Sequence, residues 1–497
     1  MKDQQSSYRQ IIKATSIFGG VEVFKIIIKI IQSKIMAVLL GPAGIGIYTL
    51  LFSTTRTLQT MTSFGLKTSG VKSISEAFAM GDQSSLLVVT TVIRKLVWVT
   101  GVIGTLLCVL LAHNLSELSF GNTDYTYGFI WLGLTLLFNQ VCSGNLAILQ
   151  GLRKLKYLAN ANLSGAIFGL LFSIPLYYFF GVNGIIPAMI AVATANMLRT
   201  YYFIGKLELK QVTVSWPEAF RQGREMLRLG SVLSLSSLVT VGVAYLVRVY
   251  VGKTGGVEQV GLFGAGFVIV NTYVGLVFSA MGTDYYPRLC AATKDGILKV
   301  NKTINHQAEI TVLILSPVII LFIVYVNYII TMLYSSSFVE VNDMIKWASF
   351  GTFFKALSWA ISFIFLAKGL SRDFLLNELT ANIYLLVFNV AGYKYGGLEG
   401  LGVSFLVGYF CYFLQVFTYA RFKHGFLLSS GITYVAIIQL ILISINLSLA
   451  LLVKGNVVPF IGSFIFCLSV YFSYSELNKR IDIKSLLFEK IRARASK

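Results

Sequence analysis

Cationic side chains lie inside the first two apolar stretches of the chain. Lys25 and Lys29 belong to the first stretch, which also carries Glu22, and Arg56 belongs to the second. At 100° per residue, Glu22, Lys25 and Lys29 share one helix face. A cation at the centre of a membrane-spanning helix costs about 2.5–3.5 kcal/mol, so this pattern predicts a wet, protein-lined cavity. The chemistry that suits it is anion binding, for example of a diphosphate.

A simpler interpretation is local charge compensation. Glu22 and Lys25 are three residues apart and are expected to interact on the helix surface. Long cationic side chains can also extend to the membrane interface. One glutamate cannot neutralise three cations, however, and Lys29 and Arg56 lie near the middle of their stretches. We therefore favour anion binding, with Lys25, Lys29 and Arg56 as substrate-binding candidates.

The second half of the chain offers three further candidates. Lys355 lies in the middle of an apolar stretch, and Arg248 lies at the end of another, where it could simply anchor the helix. Asn271 occupies the position 215 residues after Arg56 and is polar but uncharged. We add all three to the predicted substrate-binding set, and we expect the two halves to differ in charge.

Glu22 and Glu378 are the acidic residues that we place inside membrane spans. A carboxylate within the membrane can bind H⁺ or Na⁺ and couple an ion gradient to conformational change. The alternatives are compensation of Lys25 for Glu22, and proximity to a span end for Glu378. Beyond a coupling ion we expect no cofactor. The five cysteines and three histidines follow no metal-ligand spacing, so we also expect no metal site.

Composition places the whole chain in the membrane. The 497 residues are 56% hydrophobic and 12% charged, with a mean hydropathy of +0.75, which is outside the soluble range. The formal charge of +20 is spread over loops between apolar stretches, so it does not indicate nucleic-acid binding. We predict an all-α polytopic membrane protein.

The hydropathy pattern predicts about fourteen membrane-spanning helices. Their approximate ranges are 15–38, 44–66, 90–112, 126–149, 158–180, 184–204, 229–251, 259–282, 310–333, 344–367, 374–392, 398–420, 432–453 and 457–475. Lysine and arginine concentrate in alternate loops and in the C-terminal tail. By the positive-inside rule, both termini are therefore cytoplasmic. The first span carries charges and lacks a cleavage pattern, so we interpret it as a retained helix.

Short motifs recur at a nearly constant spacing. Gly44-Ile-Gly-Ile-Tyr48 is echoed by Gln259-Val-Gly-Leu-Phe263, and Gly181-Val-Asn-Gly184 by Gly397-Leu-Glu-Gly400, at offsets of 215 and 216 residues. A third pair, beginning at Gln150 and Lys368, has an offset of 218. The repeat predicts two six-helix lobes related by an axis along the membrane normal, with a cavity between them.

This repeat sets the predicted domain boundaries. The first lobe is 1–205 and the second 229–425, with a linker at 206–228 that could form an interfacial helix. The segment 426–497 adds two further spans and a basic cytoplasmic tail.

The glycine-rich segment Leu39–Leu51, with Phe64-Gly-Leu-Lys67 and Val71-Lys-Ser-Ile-Ser75, resembles the polysaccharide-transport branch of the multidrug/oligosaccharidyl-lipid/polysaccharide (MOP) exporter superfamily. Within that branch the chain is similar to Wzx-type O-antigen flippases. The resemblance implies a transporter in the bacterial inner membrane that moves undecaprenyl-diphosphate-linked oligosaccharide to the outer leaflet by alternating access. Cations at Lys25, Lys29 and Arg56 match the cavity cations that the family implies.

Other functions stay open at this point. Fourteen spans is also the count in lipid II flippases of the same superfamily, and a multidrug exporter would share the fold. A membrane-embedded glycan polymerase or ligase is the alternative from another class, but it would need a large outer loop with catalytic residues. As partners, the resemblance implies membrane lipids, the lipid-linked glycan, a polysaccharide polymerase and a chain-length-control protein.

Overall fold

The computed structural model describes residues 2–207, 212–274, 276–453 and 457–481, and the secondary structure of these residues is helical throughout. The side chains of Glu22 and Lys25 lie outside the described residues. The helices are α1 (Lys2–Thr62), α2 (Leu66–Met80), α3 (Gln83–Leu110), α4 (Ala112–Phe120), α5 (Thr126–Gly151), α6 (Leu155–Phe180), α7 (Ile185–Gly205), α8 (Trp216–Val268), α9 (Leu276–Ala292), α10 (Ile297–Leu333), α11 (Asn342–Ala367), α12 (Ser371–His424), α13 (Ser430–Leu452) and α14 (Val457–Ile481).

Ten segments of the described chain are long and apolar enough to cross a membrane. Four of them are long enough to contain two predicted spans each. In each of these four, a break in the helical geometry separates the two spans. The breaks lie at Gly41 in α1, Gly256 in α8 and Gly397 in α12, and at the 3₁₀ turn Gly181–Gly184 between α6 and α7. Six single spans and four pairs account for the predicted fourteen, and the all-α polytopic class is confirmed.

Backbone geometry repeats at the spacing of the sequence motifs. Four pairs of residues with positive φ occupy equivalent positions in the two halves. They are Gly41 (64°) with Gly256 (85°), Gly81 (74°) with Gly296 (92°), Arg153 (54°) with Gly369 (70°), and Gly181 (54°) with Gly397 (54°). Arg153 and Gly369 are 216 residues apart, so the backbone places the third motif pair two residues out of the 218-residue register expected from sequence. Turns of the same handedness at matched positions indicate that the two halves share one helical plan.

The helices that follow two of these breaks touch each other reciprocally. A Cβ atom added at Gly46 would collide with the carbonyl oxygen of Val257, and one added at Gly261 would collide with that of Pro42. Gly46 and Gly261 are equivalent positions of the repeat, as are Pro42 and Val257. Each half therefore contributes one glycine and one carbonyl to the same close crossing.

The described residues pack as two compact units. One comprises Met1–Gly261 with Leu333–Ser335, and the other Leu262–Met332 with Ser336–Lys497. In the first unit the core joins α2, α3, α5, α6 and α7, and it also buries Ala219 and Met226 from the start of α8. The predicted lobe boundaries follow the repeat rather than this packing, and they stay predictions.

The predicted interfacial segment begins a long helix. Trp216 and Pro217 form the first turn of α8, which continues without a break to Gly256, so the segment is not a separate short helix. Proline suits this first turn because it has no amide hydrogen to pair. Arg221 forms an ion pair with Glu218 one turn earlier, on the exposed side.

In the second unit, α13 and α14 cover α10. Ile320 and Ile323 of α10 share a buried core with Ile443 of α13 and Ile465 of α14. Tyr325 and Ser463 add a hydroxyl contact of 2.8 Å between α10 and α14. The appended helices are thus part of the core of this unit.

Candidate functional site

Arg56 lies on α1 at the edge of a polar cavity in the first unit. The cavity has a volume of about 290 Å³. Its polar lining comprises Gln32, Tyr48, Thr55, Arg56, Gln59, Thr135, Asn139, Cys142, Ser143, Tyr177 and Asn196. The Arg56 side chain is exposed, and within the described residues its guanidinium has no hydrogen bond or ion pair. It therefore presents a positive charge that is available to an anion.

The sequence around Arg56 explains why this face can be polar within an apolar helix. Thr55 donates a hydrogen bond to the Leu51 carbonyl at 2.9 Å, and Thr60 donates to the Arg56 carbonyl at 2.8 Å. Both hydroxyls thus satisfy their hydrogen-bonding requirement with backbone carbonyls of the same helix. Tyr48 and Phe52 stack with ring centroids 5.8 Å apart on the same wall. Amides, hydroxyls and aromatic faces together suit sugar hydroxyls and ring surfaces.

Arg248 belongs to the same unit and is influenced by Arg56. Its Nη1 donates a hydrogen bond to the Ala244 carbonyl at 2.8 Å, one turn earlier in α8. The positive charge of Arg56 repels that of Arg248. Two like charges inside one unit are stabilised by an anion, because the anion removes their mutual repulsion. Arg248 therefore remains a candidate, beside Arg56 rather than apart from it.

Lys355 and Asn271, both predicted from sequence, meet in the second unit. The Lys355 ammonium donates a hydrogen bond to Asn271 Oδ1 at 3.0 Å. It also lies 5.0 Å from the centroid of the Tyr409 ring and 5.7 Å from that of Phe405. Asn271 belongs to a π-helical segment, Ile269–Val274, that directly follows α8. The wider turn of a π-helix is a frequent feature of functional sites.

The repeat relates this pair to the cavity in the first half. Asn271 corresponds to Arg56 at an offset of 215 residues, and Lys355 corresponds to Asn139 at an offset of 216. Arg56 and Asn139 line one cavity, and Asn271 and Lys355 share a hydrogen bond. Each half thus combines one cation with one amide, and the two residue types have exchanged positions.

Of the remaining cations, Lys29 and Lys346 have described side chains and Lys25 does not. The Lys29 side chain is exposed on α1 and has no hydrogen bond or ion pair within the described residues. The predicted roles of Lys25 and Glu22 fall on side chains outside the described residues. Lys346, near the start of α11, pairs with Asp343 at 2.8 Å and donates to the Ala450 carbonyl at 3.2 Å.

Glu378 is part of a polar cluster between the two arms of α12. The Tyr412 hydroxyl donates a hydrogen bond to Glu378 Oε1 at 2.6 Å. One turn away, Gln415 Nε2 donates to Asn377 Oδ1 at 2.9 Å. The Tyr384 hydroxyl is buried and has no hydrogen-bond partner among the residues that the structure describes. These groups supply the oxygen atoms that a proton or a sodium ion would need.

Several site residues were missed by sequence reasoning. Tyr409, Phe405 and Tyr412 belong to an aromatic-rich span and are indistinguishable there from interfacial rings. Asn139 carried a usable signal, because it is the repeat equivalent of Lys355. Within the described part of the chain, no three His, Cys, Asp or Glu side chains are grouped so that they could hold a metal ion.

Comparison of the sequence with known proteins identifies a family. The family model for polysaccharide biosynthesis proteins matches residues 35–343. The lipid III flippase of Escherichia coli (strain K12) is 24% identical over 401 residues, covering 77% of this chain and 92% of that protein.

The fold of the chain is also similar to that of solved structures. A multidrug resistance MATE family transporter of the MOP superfamily, in its inward-facing conformation, has a TM-score of 0.69 at 16% identity, covering 83% of this chain and 95% of its own. The lipid II flippase MurJ, in an inward closed conformation, has a TM-score of 0.66 at 11% identity, covering 94% and 99%. The chain therefore belongs to the polysaccharide biosynthesis protein family, and its fold is that of MOP superfamily transporters.

Proposed function

We propose that this protein is a flippase that moves an undecaprenyl-diphosphate-linked oligosaccharide from the inner to the outer leaflet of the bacterial inner membrane. The observation that carries the proposal is Arg56, an unpaired guanidinium among the described residues that borders a cavity of amides and hydroxyls. Similarity to a protein named lipid III flippase supports a lipid-linked substrate.

The chemistry required of the chain is binding without covalent change. A diphosphate is matched by an arginine fork and by lysine ammonium groups, which attract it strongly where water is scarce. The neutral sugars of an oligosaccharide would find hydrogen-bond partners in Gln32, Asn139 and Asn196 and a stacking surface at Tyr48. Both parts of the substrate headgroup would thus find matching groups next to Arg56.

This arrangement argues against two other activities. An organic cation would be repelled by Arg56 and Lys355, whereas a drug exporter of cations benefits from acidic walls. A glycan polymerase or ligase would bring a nucleophile together with acid–base groups. The described residues that line the cavity at Arg56 supply amides, hydroxyls, aromatic rings and the single thiol of Cys142, and they include no His, Asp or Glu. Transport of an anionic lipid headgroup is the activity that these side chains favour.

Finer points of the proposal follow the family resemblance. The glycan would be an O-antigen unit or a similar surface-polysaccharide repeat, delivered to a polymerase and a chain-length-control protein on the outer side. H⁺ or Na⁺ would act as the coupling ion at Glu378, where Tyr412 contacts the carboxylate. The cytoplasmic location of both termini also remains part of the proposal.

The function can be tested in proteoliposomes that contain undecaprenyl-diphosphate oligosaccharide in both leaflets. Periodate added outside oxidises only outward-facing sugars. With the wild-type protein we expect the protected inner-leaflet fraction to become accessible, and with Arg56→Ala we expect it to stay protected. Lys253→Ala removes an exposed cation away from the cavity and should behave like the wild type. Transport of ethidium without movement of the glycan would overturn the proposal in favour of a drug exporter.

A further inference from the structure

A second cavity lies on the first unit, along the outer face of α3. It has a volume of about 650 Å³ and is lined mainly by apolar side chains. We call it the α3 groove, defined by Thr91, Arg94, Lys95, Val97, Trp98, Val99, Val102, Ile103, Val141, Asn145, Tyr201 and Trp216. The residues of the candidate site around Arg56 line a different cavity, so the α3 groove is not part of that site.

One end of the α3 groove is cationic. Lys95 donates a hydrogen bond to the Val214 carbonyl and lies 4.5 Å from the Trp216 ring centroid, which fixes the ammonium at the start of α8. Arg94 is half-buried beside Tyr201 and has no hydrogen bond or ion pair within the described residues. A guanidinium in such a position offers a bidentate site to a phosphate.

The other end of the groove is apolar and has the length of a lipid chain. From Arg94, at the cationic end, to Ile103 the helix rises about 14 Å at 1.5 Å per residue. That is about one leaflet of a hydrocarbon core that is roughly 30 Å thick. Trp98 and Trp216 are exposed at the cationic end, as aromatic residues are at membrane interfaces.

In the second half, the face of α10 that is equivalent to the α3 groove has a different charge and is covered by protein. Arg94 corresponds in the repeat to Glu309 on α10, which is buried. A Cβ atom at Gly431 of α13 would lie 3.0 Å from the Glu309 carboxylate, so protein covers this face. The face of α3 has no such covering helix among the described residues, and its charge is reversed.

We propose that the α3 groove binds one anionic phospholipid. Its phosphate lies at Arg94 and Lys95, and one acyl chain runs along Trp98, Val102 and Ile103. The two cations match a phosphodiester that carries a net negative charge, and they repel the positive ammonium group of a zwitterionic headgroup. Because Lys95 also contacts Val214 and Trp216, the bound phosphate rests against the start of α8. This site is independent of the proposed glycan translocation.

Native mass spectrometry of the purified full chain tests the site, with phosphatidylglycerol and phosphatidylcholine of identical acyl chains as competing probes. For the wild type we expect one tightly held phosphatidylglycerol, preferred by about tenfold, which is the effect of one charge-assisted hydrogen bond. Arg94→Gln should abolish the preference. Arg199→Gln removes an arginine that instead donates to Ser164 and contacts Phe168, and it should retain the preference.

A second variant tests the part of the groove that binds the acyl chain, independently of the cationic end. Val102→Trp fills the groove without changing the charge, and it should reduce retention of both lipids equally. The proposal is overturned if Arg94→Gln keeps the tenfold preference, or if Val102→Trp retains both lipids like the wild type. Displacement of phosphatidylglycerol by equimolar undecaprenyl phosphate would also overturn it, because the groove would then belong to the transported lipid. All variants should still move the glycan in proteoliposomes.

Discussion

The ammonium group of Lys355 donates a hydrogen bond to Asn271 Oδ1 at 3.0 Å. In the repeat, these two residues correspond to Asn139 and Arg56, which line one cavity in the first half. A cation and an amide thus recur in both halves with their positions exchanged. The cation lies on the first of the two equivalent positions in one half and on the second in the other.

Lys355 should therefore be needed for transport. Lys355→Ala removes the cation and is expected to lower glycan translocation by about tenfold or more, the effect of losing one charge-assisted hydrogen bond. Asn271→Ala should cost less, because Tyr409 and Phe405 still hold the ammonium. The rate of periodate accessibility in proteoliposomes measures both. Equal effects of the two substitutions would show that the hydrogen bond, rather than the charge, matters.

Coupling is tested at Glu378. Glu378→Gln removes the ionisable carboxylate but keeps an oxygen that can accept from Tyr412, so substrate binding should be unchanged while gradient-driven transport is lost. Tyr412→Phe keeps the carboxylate and should leave transport dependent on the gradient. The measurement is transport with and without an imposed H⁺ or Na⁺ gradient. Gradient-driven transport by Glu378→Gln at the wild-type rate would remove this residue from the coupling mechanism.

The reciprocal glycine crossing gives a prediction for stability. Gly46→Ala and Gly261→Ala each place a methyl group against a backbone carbonyl that cannot retreat like a side chain, so the two helices must move apart. We expect each to destabilise the purified protein by about 1–3 kcal/mol, measured as a lower melting temperature. Gly242→Ala serves as control, since nothing lies within 4 Å of its added Cβ. Unchanged melting of both variants would mean that this crossing is loose in solution.

Topology can be tested with single cysteines in a cysteine-free background. Glu117 and Ser336 are exposed in predicted outer loops, and Ala79 is exposed at the end of α2 on the predicted inner side. Impermeant thiol reagents should label Glu117→Cys and Ser336→Cys in intact spheroplasts, but label Ala79→Cys only after lysis. The reverse pattern would invert the orientation. Ser119 is unsuitable as a labelling position because it is buried and lies 2.9 Å from the Tyr245 hydroxyl.

Much of the fold was predictable because its signals are local. Apolar length fixes the spans, and the repeat of Gly181-Val-Asn-Gly184 at Gly397 marks two of the breaks where a span turns back. The continuous course of α8 from Trp216 was not predictable. Pro217 indicates where a helix begins, but packing of Ala219 and Met226 against the first unit determines how it continues.

The candidate site was predictable residue by residue but not as a set of contacts. Mid-span position identified Arg56 and Lys355, since a cation there is costly without a function. Their surroundings depend on contacts between distant segments, as when Tyr409 from α12 approaches Lys355 on α11. Likewise, nothing in the sequence near Glu378 indicates that Tyr412 would contact it.

We propose that cations on α1 bind the diphosphate of the transported lipid. The most direct test is equilibrium binding of undecaprenyl diphosphate to purified protein carrying Arg56→Ala, Lys29→Ala or Arg56→Lys. We predict at least about tenfold weaker binding for the two alanine variants. Arg56→Lys should have an intermediate effect, because a point charge replaces a bidentate fork. Wild-type affinity in both Arg56→Ala and Lys29→Ala, together with full restoration of surface glycan in a strain lacking its flippase, would show that these cations do not bind the diphosphate.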